Sequence, residues 1–182
     1  MGQEALVIGG TGMLADTVLW LVGQGYRVTV LARDRKRFEQ LRQDLPDPQA
    51  VHFIQLDYHQ TAVLKQAMEE WVAETDSVDL VVSWIHSSAP LALETILDAL
   101  SVQRKPWRLF QVCGSRAWKN PPQEIAREHV LFRRVILGFI LEEQSARWLF
   151  NHEISQGVID AIRSDQPLSI VGTVEPWEKR PI

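Results

Sequence analysis

One turn constrains this chain more than any other stretch. The apolar run Ala5, Leu6, Val7, Ile8 stops abruptly at Gly9, Gly10, Thr11 and Gly12. An amphipathic segment follows, with Leu14, Val18, Leu21 and Val22 on one face, and then the β-branched run Val28, Thr29, Val30. Strand, glycine turn, helix and strand make one βαβ unit of about 30 residues. Read from Gly10, the turn has the spacing G-x-G-x-x-A with Ala15 last, a pattern suited to the pyrophosphate of a dinucleotide. Gly10 suits a tight turn, Gly12 lets backbone N–H groups approach the phosphates, and Ala15 lets the helix sit close to the strand. The helix N-terminus adds unpaired donors and a partial positive charge. The candidates from this turn are Gly9, Gly10, Thr11, Gly12, Met13 and Leu14.

The sequence GGTGML after an ALVI strand resembles the short-chain dehydrogenase/reductase superfamily. The G-x-x-G-x-x-(G/A) variant of its extended and atypical members is matched by Gly9, Gly12 and Ala15, and the resemblance runs over residues 3 to 115. It implies an α/β fold: a three-layer, doubly wound (Rossmann) parallel sheet of about six to seven strands with helices on both faces. Residues 1–182 are expected to form a single NAD(P)-binding domain.

Composition narrows the class. The net charge of −4 argues against a nucleic-acid partner. The single cysteine, Cys113, excludes an internal disulfide and fits a reducing compartment; in an apolar strand it reads as a core thiol. No basic segment precedes the first apolar run and the glycines cut that run short, so neither signal peptide nor membrane span is expected, and the cytoplasm is the expected location. The five histidines lack ligand spacing, so no metal site is expected.

Along the chain, the first helix is expected from Met13 to Gln24 and the second strand from Tyr26 to Ala32. Arg33 is then the first residue out of the strand. An acidic side chain at that place binds the ribose 2′-OH of NAD, whereas an arginine accommodates the 2′-phosphate of NADP, so NADP is expected over NAD. Arg33 offers a planar fork, Lys36 or Arg37 adds charge from the next helical turn, and Asp34 both caps the second helix and lies at the site. That helix should run to Leu45, before Pro46 and Pro48. A strand over Val51–Leu56 leads to Asp57, which by the resemblance hydrogen-bonds the adenine and by its position could equally cap a helix. A helix over Thr61–Glu74 carries a core stripe, and the apolar run Leu80–Ile85 reads as a strand buried on both faces. Ligands of such sheets sit beyond the carboxyl ends of the strands, which places Ser83, Trp84, His86, Ser87 and Ser88 beside the cofactor. Relatives often carry an Asn-Ala-Gly type sequence there; Trp84 and His86 depart from it.

A helix near Pro90–Leu100 and a strand over Leu109–Cys113 lead to Ser115, which matches the serine that steadies a substrate carbonyl in the superfamily. The Tyr-x-x-x-Lys pair of tyrosine-dependent members is missing. Only Tyr26 and Tyr58 occur, neither with a lysine four residues on, and about sixteen residues with Pro121 and Pro122 separate this strand from the next apolar run. A strand over Leu131–Ile140, a short strand or turn over Gln144–Phe150, a helix from Asn151 to Arg163, an edge strand over Leu168–Val171 and a loose tail after Gly172 complete the reading.

Two functions follow. The first is an NADP-dependent oxidoreductase that transfers hydride to a small carbonyl or related substrate, with Ser115, His86 and Lys119 polarising or protonating it. The second is a non-catalytic NADP sensor resembling NmrA-like regulators and acting through a protein partner. A vestigial structural module is a third. Trp107, Trp118, Trp148 and Trp177 lie outside clean core stripes, which suits a homo-oligomer, core packing or a lid.

Overall fold

A computed structural model describes residues 2–182. Seven parallel strands form one sheet: β1 (Gln3–Ile8), β2 (Tyr26–Ala32), β3 (Val51–Gln55), β4 (Leu80–Trp84), β5 (Trp107–Gly114), β6 (Val130–Leu137) and, at the far edge, β9 (Leu168–Val171). A small antiparallel hairpin, β7 (Phe139–Leu141) with β8 (Ala146–Trp148), stands apart from it. The helices are α1 (Ala15–Gly23), α2 (Arg35–Gln43), α3 (Thr61–Glu74), α4 (Ala92–Ala99) and α5 (Asn151–Ser164). The strand order β3-β2-β1-β4-β5-β6-β9 is that of a doubly wound sheet, with its switch point between β1 and β4. This is the three-layer fold that the sequence implies.

Alternation along β1 builds both layers. Ala5 and Val7 face α1, α2 and α5, while Leu6 and Ile8 face α3 and α4. All four are fully buried, so β1 reads as a continuous apolar run rather than an alternating one. Each such leucine or isoleucine contributes about 1.5–3 kcal/mol by leaving water. Trp107, outside any clean stripe in the sequence, is 2% exposed and belongs to the second layer.

Three expectations need correction. The first helix begins at Ala15, not Met13, because residues 9–14 are spent on the turn. The strand expected over Leu131–Ile140 ends at Leu137. At Gly138 the chain leaves the sheet, and Phe139 exchanges backbone hydrogen bonds of 2.8 and 2.9 Å with Thr173. The tail after Gly172 is correspondingly not loose, since that pairing opens a series of contacts that continues to Arg180. At the start of α5 the Phe150 N–H donates to Glu153 Oε2, and Arg147 grips the same carboxylate, lowering its pKa to about 2.

A Cβ on Gly138 would lie 2.0 Å from the Thr173 carbonyl oxygen. Gly138→Ala should therefore cost about 1–3 kcal/mol, the usual range for overpacking. Urea unfolding followed by circular dichroism checks this, and an unchanged midpoint contradicts it.

Candidate functional site

The glycine turn divides its work differently from the sequence reading. The left-handed position is Gly9, with φ of +83°, and a Cβ there would meet the Trp84 carbonyl oxygen at 3.0 Å. Gly10 has negative φ and serves close packing instead: a Cβ would stand 3.0 Å from Val18, 3.1 Å from Val7 and 3.2 Å from Val30. At Gly12 a Cβ would meet only the Arg37 guanidinium, at 3.9 Å, so this backbone is open to a ligand. Leu14 is fully buried core. The loop is tied from behind by α5, where Ser155 Oγ donates to the Met13 carbonyl at 2.7 Å and accepts from the Thr17 N–H at 3.3 Å.

Beyond the carboxyl ends of the strands lie two hollows, both bordered by Met13 and Trp84. The first, about 750 Å³, is bounded by Gly9, Thr11, Gly12, Arg33, Arg35 and Arg37. Asp34 caps α2, accepting from the Arg37 N–H at 3.0 Å, and pairs with the Arg37 guanidinium at 3.4 Å. Arg35 donates to Gln55 at 2.9 Å and lies over Phe53, whereas the Arg33 side chain meets no carboxylate among the described residues. The arginine-rich side of this hollow is what a phosphate would need. Asp57 is outside its lining: the Asp57 carboxylate accepts from the His59 backbone N–H, the main cause of its lowered pKa, and contacts His59 Nδ1 at 2.6 Å. Tyr58 takes the place beside the hollow. Ser83 is buried, and its hydroxyl has no hydrogen-bond partner among the described residues.

The second hollow, about 730 Å³, has walls that include Leu93, Val112, Leu137, Leu149 and Ile154. His86 and Ser115 both border it, so the structure brings these two candidates together. His86 ends a run of side-chain contacts: Asp57 Oδ1 to His59 Nδ1 at 2.6 Å, His59 Nε2 to Ser88 Oγ at 2.8 Å, and Ser88 Oγ to His86 Nδ1 at 2.9 Å. Neighbouring imidazoles and a hydroxyl in this order can pass a proton by exchanging donor and acceptor roles. Cys113 lies in the wall, and burial raises its pKa, so it is held as a thiol.

Lys119 is not in the lining. The Lys119 ammonium pairs with Glu175 at 3.0 Å and lies 5.7 Å from the Trp177 ring. Glu175 also accepts from the Trp118 indole N–H at 2.8 Å, which is the largest cause of its lowered pKa. These contacts fix the tail so that Arg180 enters the hollow and donates from Nε to Ser115 Oγ at 2.8 Å. Arg180 is the site residue that the sequence reading missed; Trp148, named there among the tryptophans outside core stripes, borders the hollow beside it, and Trp177 lies 5.3 Å from the Arg180 guanidinium but outside the lining. The tail has no apolar periodicity, and no local pattern marks it.

Residues 3–85, just under half of the chain, match the family model described as short chain dehydrogenase. No curated protein sequence matches the chain. Solved structures do. Actinorhodin polyketide ketoreductase with NADPH has a TM-score of 0.69 and 13% identity, over 95% of this chain and 97% of that one. A short chain dehydrogenase/reductase family protein has a TM-score of 0.70 and 16% identity, over 94% of this chain and 97% of that one. A Bacillus thuringiensis protein assigned as a 3-oxoacyl-reductase gives 0.69 and 15%, over 94% and 97%. The N-terminal half thus carries the sequence signature of the short-chain dehydrogenases, and the whole chain has a fold like theirs.

The Glu175 contact makes a pH prediction. A folded-state pKa below the ordinary 4.5 means that the contact's stabilisation is full above about pH 4.5 and is lost as pH falls through the lowered value. The Trp118 indole N–H resonance should shift with a midpoint below 4.5 and should not titrate in Glu175→Gln. A midpoint at or above 4.5 contradicts the assignment.

Proposed function

We propose that the chain is an atypical short-chain dehydrogenase/reductase that binds NADP(H) and transfers hydride to a small carbonyl or related substrate. The observation that carries this reading is the pair of hollows meeting at Met13 and Trp84, one basic and against the glycine turn, the other apolar with His86 and Ser115 on its border. The residues present fit the coenzyme. Backbone at Gly9, Thr11 and Gly12 would receive the diphosphate, and Arg33, with Arg37 behind it, would take the adenosine 2′-phosphate. When bound, the coenzyme supplies the hydride.

The chain's own residues then have three tasks. Leu93, Leu137, Leu149 and Ile154 keep water from the reacting face. Ser115 Oγ, already accepting from Arg180, holds its hydrogen for a carbonyl oxygen. His86 delivers a proton to that oxygen and is resupplied through Ser88 and His59, with Asp57 holding the outer imidazole. This arrangement takes the place of the missing tyrosine and lysine. Lys119 acts at one remove, by fixing the tail.

Quenching of tryptophan emission on titration with each coenzyme tests the reading. NADPH should bind more tightly than NADH, and Arg33→Ala should weaken NADPH about tenfold, the worth of a charge-assisted contact, while leaving NADH unchanged. Equal affinities, or an Arg33→Ala variant with unaltered NADPH binding, overturn the assignment of Arg33. Oxidation of NADPH by a panel of aldehydes, ketones and quinones tests the chemistry. Turnover should fall in both His86→Ala and Ser115→Ala, and turnover unchanged in both removes them from it.

A further inference from the structure

The apolar hollow carries an electrostatic signature that carbonyl reduction by itself does not require. The side chains around it include two guanidinium groups, Arg116 and Arg180, and one imidazole, His86, with no carboxylate among the described residues. The chain as a whole has a net charge of −4, so this local excess of positive charge is not a reflection of the whole. Arg180 is the better placed of the two. The Arg180 guanidinium lies 4.7 Å from the Trp148 ring centre and 5.3 Å from that of Trp177, and it is steadied by the contact from Nε to Ser115. Among the described residues its terminal nitrogens meet no acceptor, and the tail carboxylate Glu175 is taken by Trp118, Lys119 and the Trp177 N–H. A planar fork held beside aromatic faces, with its outer edge free, matches a carboxylate in two-point contact.

We infer that this cleft takes an organic carboxylate with an apolar body, the acid group seated on Arg180 beside Trp148. The apolar body lies along Leu93, Leu137, Leu149 and Ile154, and Arg116 strengthens the field at the mouth. The inference rests on the reductase reading for the chemistry done in the cleft, but the anion's binding requires no coenzyme.

Isothermal titration calorimetry of the full chain with 2-naphthoate, and with neutral 2-naphthamide as the control of equal shape, tests it. Naphthoate should bind saturably and at least tenfold more tightly than the amide. Arg180→Met, which keeps the stem and its packing on the tryptophans, should weaken naphthoate about tenfold and leave the amide unchanged. Unfolding temperatures of the two proteins should agree within a few degrees. Arg180→Lys should recover only part of the affinity, since it restores charge without the fork. Equal binding of acid and amide, or naphthoate affinity untouched in a folded Arg180→Met, overturns the inference. So does displacement of naphthoate by NADPH in simple competition, since the anion site would then be the coenzyme's own. NADPH binding is measured separately. A protein that binds naphthoate but not NADPH upholds this inference and refutes the coenzyme reading, and the opposite result does the reverse.

Discussion

Three valines crowd close around Gly10, and much of the molecule follows from that contact. A Cβ there would press on Val18 of α1, Val7 of β1 and Val30 of β2 at 3.0–3.2 Å. The helix can therefore start close above β1 and β2, with the turn drawn tight around Gly9 and its backbone open at Gly12. Ser155 completes the arrangement from the other side, fixing the Met13 carbonyl and the Thr17 amide to α5. A helix near the end of the sequence thus braces a turn near its beginning. These contacts join residues 138 and 142 positions apart in the sequence.

The same economy marks the opposite end of the site. The described residues between β5 and β6 form no long helix. Here the chain has only a short 3-10 turn at Ser115–Trp118 and a proline-bearing segment before β6. The tail fills the resulting gap. Thr173 pairs with Phe139, Glu175 anchors on Trp118 and Lys119, and Arg180 reaches Ser115. These are contacts between polar groups and aromatic faces, each small by itself in water, and they depend on one another to hold the tail in place.

The parts legible in the sequence were those written as local periodicity. The runs of β1 and β4, the stripes of α1 and α3, and the glycine spacing each specify an element without knowledge of the rest. Asp34 as the cap of α2 belongs to the same kind, since its partner is three residues away. The misreadings came where distant residues decide the outcome. The break at Gly138 is caused by Thr173, thirty-five residues later, and the position of Lys119 by Glu175. The contact of His59 with Ser88 joins the loops after β3 and β4, neighbours of β2 and β1 respectively in the sheet, and no sequence spacing signals it. Arg180 was hidden for the same reason: an arginine beside a proline near a terminus has no local pattern to mark it.

In the proposed function, the glycine turn and Arg33 hold two separate phosphate groups of one coenzyme. Phosphorus NMR of NADP with the protein reads each group by itself. On binding, the diphosphate and 2′-phosphate resonances should both move, and Arg33→Ala should abolish the movement of the 2′-phosphate while the diphosphate still responds. Resonances that stay at their free positions at saturating protein, or that respond alike in the variant, would contradict it.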